Sequence, residues 1–162
     1  MSKFLGNRLP SEVVDAFDGR NLDKKVGSGY LAATFDEDGE IRFCMLSAGE
    51  ILVVDERMLR IGLWAGTRSS KNLKRGSPLN LCFVAPSTVL YIRGSAKELD
   101  AHTSGLRIDG FEVTVESVTS DAHTGLPVTH SIGFACKEID EATLVREWEA
   151  KLQFLQAASS AP

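Results

Sequence analysis

The stretch Met58-Leu59-Arg60-Ile61-Gly62-Leu63-Trp64-Ala65-Gly66-Thr67-Arg68-Ser69-Ser70-Lys71-Asn72-Leu73-Lys74-Arg75-Gly76-Ser77-Pro78-Leu79-Asn80-Leu81-Cys82-Phe83-Val84 holds two strands and the link between them. Met58–Trp64 alternates with the period of a half-buried strand. Ala65–Arg68 reads as a loop. Ser69–Arg75 has room for one or two helical turns, with a serine N-cap region, Leu73 facing inward, Lys74 and Arg75 at the C-terminal end and Gly76 as the stop. Pro78 then precedes Leu79–Val84, a nearly all-apolar strand. A doubly wound parallel sheet needs a crossover, usually a helix, after each strand, and most connections in this chain are too short for one.

On the N-terminal side, Leu9–Phe17 reads as a short helix with Pro10 in its first turn and Gly19 as its stop. Tyr30–Phe35 and Ile41–Leu46 are strands joined by the turn Asp36-Glu37-Asp38-Gly39-Glu40, which gives a hairpin. Glu50–Val54 is a third, β-branched strand. On the C-terminal side, Thr88–Leu99 is a longer strand in which Gly94 marks a bulge. His102–Leu106 is polar and pairs with nothing, and Phe111–Val118 alternates again. Ser120–Pro127 is a loop and Thr129–Cys136 a last strand. Asp140 caps a closing helix on which Leu144, Val145, Trp148, Leu152 and Leu155 form one stripe, so Trp148 reads as core. Ala157–Pro162 is expected to fray. About eight short strands with few helices predict a mainly β, antiparallel barrel or sandwich. With no repeat and no linker, residues 1–162 are expected to form one domain.

The chain has 162 residues, 43% hydrophobic and 25% charged, which excludes wholesale disorder. The longest strongly apolar run is Ile51–Val54, far short of a membrane span, and Met1–Arg8 lacks the apolar core of a signal peptide. A cytoplasmic protein with no membrane partner is the expectation. Cys44, Cys82 and Cys136 are odd in number and far apart, so no disulfide framework is indicated. His102, His123 and His130 make no metal-ligand pattern, and no metal is expected. The turn at Asp36, Glu37 and Asp38 reads as a solvated one rather than a calcium loop. Net charge is −4, which gives no footprint for nucleic acid. That average hides an asymmetry: Arg57–Lys97 holds eight Lys or Arg and no Asp or Glu, so the remainder carries −12. Such a window is either a local positive field for a small anion or a solvated basic face.

The chemistry concentrates after Trp64. A strand ends, a glycine-containing loop follows and a helix begins, with Arg68 and Lys71 at that helix start. Cations there oppose the helix dipole, at a cost of about 0.3–1 kcal/mol each. A phosphate monoester between Arg68, Lys71 and the hydroxyls of Ser69 and Ser70 would reverse the sign of that cost. The other reading is an ordinary capped helix with exposed basic residues. Neither a nucleotide P-loop nor a dinucleotide fingerprint is present.

These pieces, in this order, resemble the pyridoxamine 5′-phosphate oxidase-like superfamily of FMN-binding split β-barrels. The matching segments are Arg42-Phe43-Cys44-Met45-Leu46-Ser47, then Leu63-Trp64-Ala65, then Arg68-Ser69-Ser70-Lys71, then Ser77-Pro78-Leu79-Asn80-Leu81-Cys82-Phe83. The resemblance covers residues 28–100, and beyond them rests on strand order. It implies FMN as cofactor, with FAD, a deazaflavin or haem as alternatives. It implies that Arg68, Ser69, Ser70 and Lys71 hold the phosphate, with Arg42 near the phosphate or ribityl chain. Cys44, Met45, Leu46 and Ser47 would line the isoalloxazine, and Leu63 and Trp64 would border it. It also implies a homodimer with the flavin at the subunit interface and a small-molecule substrate.

Three positions depart from the family pattern. Ser70 stands where the family has an arginine, Ala65 where it has a threonine, and Val89 near where it has a glutamine. The family's Arg/His-rich C-terminus is also missing, which argues against pyridoxal phosphate synthesis. The resulting expectation is an FMN-dependent oxidoreductase of unknown substrate. The alternatives are a non-catalytic flavin sensor and a barrel for another phosphorylated ligand.

Overall fold

A computed structural model describes residues 2–100 and 105–160. Along the chain run β1 (Lys3–Gly6), α1 (Ser11–Ala16), β2 (Ser28–Phe35), β3 (Ile41–Ser47), β4 (Ile51–Asp55), β5 (Met58–Trp64) and α2 (Arg68–Lys74). Then come β6 (Leu79–Ala85), β7 (Thr88–Asp100), β8 (Ile108–Ser120), β9 (Ile132–Gly133), α3 (Glu141–Ala157) and β10 (Ser159–Ser160). Short 3₁₀ turns lie at Leu22–Lys25 and Ala48–Glu50. The strands pair antiparallel in the order β3-β2-β6-β7-β8-β5-β4, and the sheet curls into a half-barrel.

Alternation decides which side chains go inside. Tyr30, Ala32 and Thr34 of β2, Leu79, Leu81 and Phe83 of β6, and Leu59, Ile61 and Leu63 of β5 are all buried. All of them but the polar Thr34 meet Phe111, Val113, Val115 and Val118 of β8 in one continuous core. α1 plugs this core with Val13, and Phe17 follows it. The Phe17 ring lies edge-on to Tyr30 at 4.7 Å, and Tyr30 stacks on Phe83 at 5.6 Å. The expected bulge is present: the β7–β8 register shifts between Arg93 and Gly94. A Cβ at Gly94 would lie 2.5 Å from the Thr114 carbonyl oxygen, so the close approach of β8 requires glycine there.

A second apolar cluster lies under α3, where Trp148, Leu152 and Leu155 meet Leu22, Ala48 and Leu99. Asp140 caps this helix by accepting from the Thr143 N–H at 3.0 Å, as the sequence indicates. Arg60 of β5 donates to the carbonyls of Leu155 (2.7 Å) and Ala158 (2.9 Å) at the helix C-terminus, and it pairs with Glu112 of β8 at 2.9 Å. A cation is well placed against those unpaired carbonyls.

Three expectations need correction, and one strand was not expected at all. The strand expected over Thr129–Cys136 is reduced to Ile132–Gly133, because β2 offers pairing only at Ser28 and Gly29. The end expected to fray instead adds Ser159–Ser160 to β7, with Arg60 holding the backbone just before it. Lys3–Gly6 forms a strand on β8 that no alternation announces. The first helix starts at Ser11 rather than Leu9, since Pro10 is extended (φ −63°, ψ 157°) and takes the N-cap, and the Leu9 N–H donates to the Glu56 carbonyl. Within the polar stretch His102–Leu106, residues 102–104 lie outside the described residues. Among the described residues no helix is long and apolar enough to cross a membrane.

Candidate functional site

β3 ends the sheet and pairs only with β2 among the described residues. Its outer rim therefore carries backbone N–H and C=O groups with no strand beside them. Arg42, Cys44 and Leu46 point to the same side as buried Thr34, Ala32 and Tyr30 across the ladder. Phe43 and Met45 point outward and are 67% and 54% exposed. A cavity of about 350 Å³ runs beside this rim. β3 contributes Arg42, Phe43, Cys44, Met45 and Leu46; β5 contributes Leu63 and Trp64; the start of α2 contributes Thr67, Arg68 and Ser69; Glu50 completes the lining.

A second hollow of about 500 Å³ is lined by Arg42, Arg68, Lys71, Asn72 and Arg75 together with Asp36, Glu37 and Asp38. Both cavities share Arg42 and Arg68, so these two guanidinium groups stand where an apolar groove meets a charged basin. The basic stretch of the sequence is thus not an unopposed positive field. Three of its cations, Arg68, Lys71 and Arg75, join Arg42 of β3 in this hollow and face the three carboxylates of the hairpin turn (4 − 3 = +1).

Asp36 is the centre of that arrangement. It accepts from Arg42 Nε and from Asn72 Nδ2 (2.9 Å), with Arg68 Nη1 at 3.5 Å. The Arg42 hydrogen bond, then that of Asn72, holds the Asp36 carboxyl below the ordinary carboxylate value, and Asp36 in turn raises Arg42. The turn read as solvated therefore has its first carboxylate largely covered by protein. Asn72 also donates to Thr34 Oγ1 at 3.0 Å, which ties α2 to β2.

The start of α2 differs from expectation. The cap is Thr67, whose Oγ1 accepts from the Ser70 N–H at 3.3 Å and donates to the Trp64 carbonyl at 2.9 Å. Ser70 is fully buried, and its hydroxyl donates to Asp109 of β8. Lys74 Nζ lies 3.1 Å from the same carboxylate. Burial pushes Asp109 up, but the Ser70 and Lys74 bonds and the Gly66 N–H outweigh it and leave the group lowered. Ser70 is thus turned to β8, away from the groove. Ser69 instead bonds with the Cys44 thiol, which burial pushes up, so that thiol stays protonated at neutral pH.

Of the residues singled out in the sequence, Arg42, Cys44, Met45, Leu46, Leu63, Trp64, Arg68 and Ser69 share one groove. Lys71 lines the adjoining basin. Ser47 does not line either; its N–H and hydroxyl both bond to Glu50 at 2.8 Å in a capping box. Glu50 and its partner Lys151 (3.4 Å) were not expected at the site, and Lys151 Nζ lies 5.0 Å from the centre of the Trp64 ring. His123 accepts from the Gly125 N–H and His130 bonds to Thr129, both on exposed loops outside the groove.

A protein of Lactobacillus delbrueckii, provisionally assigned as a pyridoxamine 5′-phosphate oxidase, superposes with a TM-score of 0.57 at 23% identity, over 73% of this chain and 98% of that one. The fold is the pyridoxamine 5′-phosphate oxidase-like split barrel. HupZ of Group A Streptococcus has the same split barrel, with a TM-score of 0.51 at 11% identity over 78% of this chain and 99% of that one. In sequence, the uncharacterized Bacillus subtilis protein YclD is 23% identical over 151 residues, 93% of this split-barrel chain and 97% of YclD. No protein-family model matches the sequence.

Proposed function

We propose that this split barrel binds a flavin nucleotide, FMN, along the β3 rim and works as an oxidoreductase on a small molecule. One observation carries the reading: a single groove joins an apolar wall, an unpaired strand edge and two guanidinium groups. A flat ring with a polar rim and an anionic tail asks for that combination. The arginines of the groove, Arg42 and Arg68, would hold the phosphate, with Lys71 reaching it from the adjoining basin. Asp36 shares those guanidinium groups and keeps them aimed at one place. Cys44, Met45, Leu46, Leu63 and Trp64 would shield the ring from water. Bound there, the flavin supplies the electron-transfer chemistry, and the chain supplies position and exclusion of solvent. The free thiols of Cys44, Cys82 and Cys136 suit the reducing cytoplasm.

The same reading proposes a homodimer. Ile41, Phe43 and Met45 of β3 are exposed on the outer face, as is Tyr91 of β7, with half-buried Leu31 and Cys82 between them in register. A contiguous apolar face of this kind is usually covered. A second copy seated on it would also roof the groove, because Phe43 and Met45 belong to both.

Mass spectrometry of whatever small molecule leaves the denatured protein distinguishes FMN from FAD, a deazaflavin or haem. Replacing Arg42 and Arg68 together by Ala is expected to weaken FMN binding by at least about tenfold, since each charge-assisted bond contributes roughly 1.5–3 kcal/mol. An unchanged titration overturns the assignment of the phosphate site. Bleaching of bound flavin by NADH or NADPH separates an enzyme from a sensor.

A further inference from the structure

Trp64 has a second neighbourhood. Besides the groove at β3 it lines another cavity, about 510 Å³, between α3 and the segment that leads into β8. Leu106, Ala150 and the indole of Trp64 give it apolar surface. Its charged groups are Arg107, Arg146, Glu147 and Lys151. The indole is 56% exposed, and the Lys151 ammonium sits against its ring, so it is a steadied aromatic surface open to a ligand. Lys151 is itself satisfied by Glu50, which lines the groove at β3. Trp64 and the Glu50–Lys151 pair therefore form the partition between the two cavities.

The charges count toward one kind of ligand. With Lys151 matched by Glu50, the remaining lining charges among the described residues are Arg107 and Arg146 against Glu147 (2 − 1 = +1), and the Asp140 carboxylate behind Thr143 also feels the Arg146 charge. Arg146 Nη2 donates to Thr143 Oγ1 at 2.7 Å, which steadies it on the first turns of α3 and leaves its other N–H groups unengaged among the described residues. Arg107 makes no ion pair among the described residues. A planar guanidinium matches a carboxylate in two parallel bonds.

We infer that this cavity is a subsite for a small, flat, aromatic monocarboxylate, its ring against Trp64 and its carboxylate between Arg107 and Arg146. That such a ligand is the flavin's reaction partner rests on the flavin reading above; that it binds here does not.

The probes are sodium benzoate and its neutral counterpart benzamide, added to the full-length protein as isolated. Indole fluorescence reports binding, and Trp64→Phe assigns the signal, since the other tryptophan, Trp148, is buried. Benzoate is expected to give a saturable change that Trp64→Phe abolishes, with benzamide weaker by at least about tenfold. Arg107→Gln combined with Arg146→Gln, both at exposed positions, is expected to lose about tenfold in benzoate affinity. Equal responses to the two probes, no response to benzoate, or a double variant that binds like wild type overturns the inference. The wild-type comparison of probes needs no variant to fold. Flavin content of the same preparation is read separately: a benzoate response in protein that never takes up flavin keeps the subsite and sinks the flavin reading. Bound flavin with no benzoate response does the reverse.

Discussion

At position 70 a hydroxyl that the sequence places beside a phosphate instead donates to Asp109, and the reason is register. α2 begins one residue before its expected start, with Thr67 as the cap, so Ser70 falls on the face toward β8 and Ser69 on the face toward Cys44. Residue type and approximate position were legible; a rotation of one residue, about 100°, was not, because serine and threonine cap equally plausibly. Asp36 was missed for a related reason. A carboxylate in a turn looks solvated until the hairpin closes and brings Arg42 and α2 against it. Asp109 gives a test at this scale. Its carboxyl is lowered in the folded protein, so its contribution to stability is present above the ordinary value of 3.8 and is lost as pH falls through the lower folded value. In urea titrations the wild type is expected to exceed Asp109→Asn by a constant margin at neutral pH, and the margin is expected to close below 3.8. A margin that stays unchanged into strong acid would show that the Ser70 and Lys74 contacts carry no electrostatic stabilisation.

Elements with their own internal signal were readable. The alternation of β5 and β8, the apolar run of β6 and the stripe of α3 each carry the pattern of the face they bury. β1, β9 and β10 do not, because two to four residues set no period and are recruited by an edge that already exists. The seating of α3 depends on one position that composition cannot reveal. A Cβ at Gly49 would lie 2.0 Å from Cγ of Trp148. Gly49→Ala is therefore expected to push the indole out of its place and destabilise the protein by about 1–3 kcal/mol, the range for overpacking, read as a lower urea midpoint. Asp140→Ala tests the seating at the N-terminal end of the helix. Loss of the cap bond to Thr143 is expected to cost about 1 kcal/mol without changing the fold, visible as a drop in melting temperature with an unchanged circular dichroism spectrum.

For the whole molecule, the half-barrel puts one face of the sheet into the core and leaves the other facing out. That outer face carries Phe43 and Met45, whose exposure argues for a partner surface. The proposed dimer predicts two species in sedimentation velocity, a wild type that sediments as a dimer and a Phe43→Glu, Met45→Lys variant that sediments as a monomer. The double change is also expected to lower flavin retention, since the same two residues line the groove. A wild-type monomer at micromolar concentration would remove the dimer from the proposal and leave the groove as it is. The succession of strands along the chain could be read from it; their order in the sheet and the identity of the outer face could not, because an apolar residue on an edge strand looks the same whether its cover is a core or another molecule.

α3 rests on a cluster separate from the barrel interior and is held at its middle by Trp148 against Gly49 and at its C-terminal end by Arg60. A unit anchored in this way can lift as a body while the strands stay shut, so its amides should exchange with deuterium earlier than those of β6 and β8. Because Lys151 rides on that helix, an excursion of that kind would also take its ammonium away from Trp64 and Glu50 and so thin the wall between the two cavities.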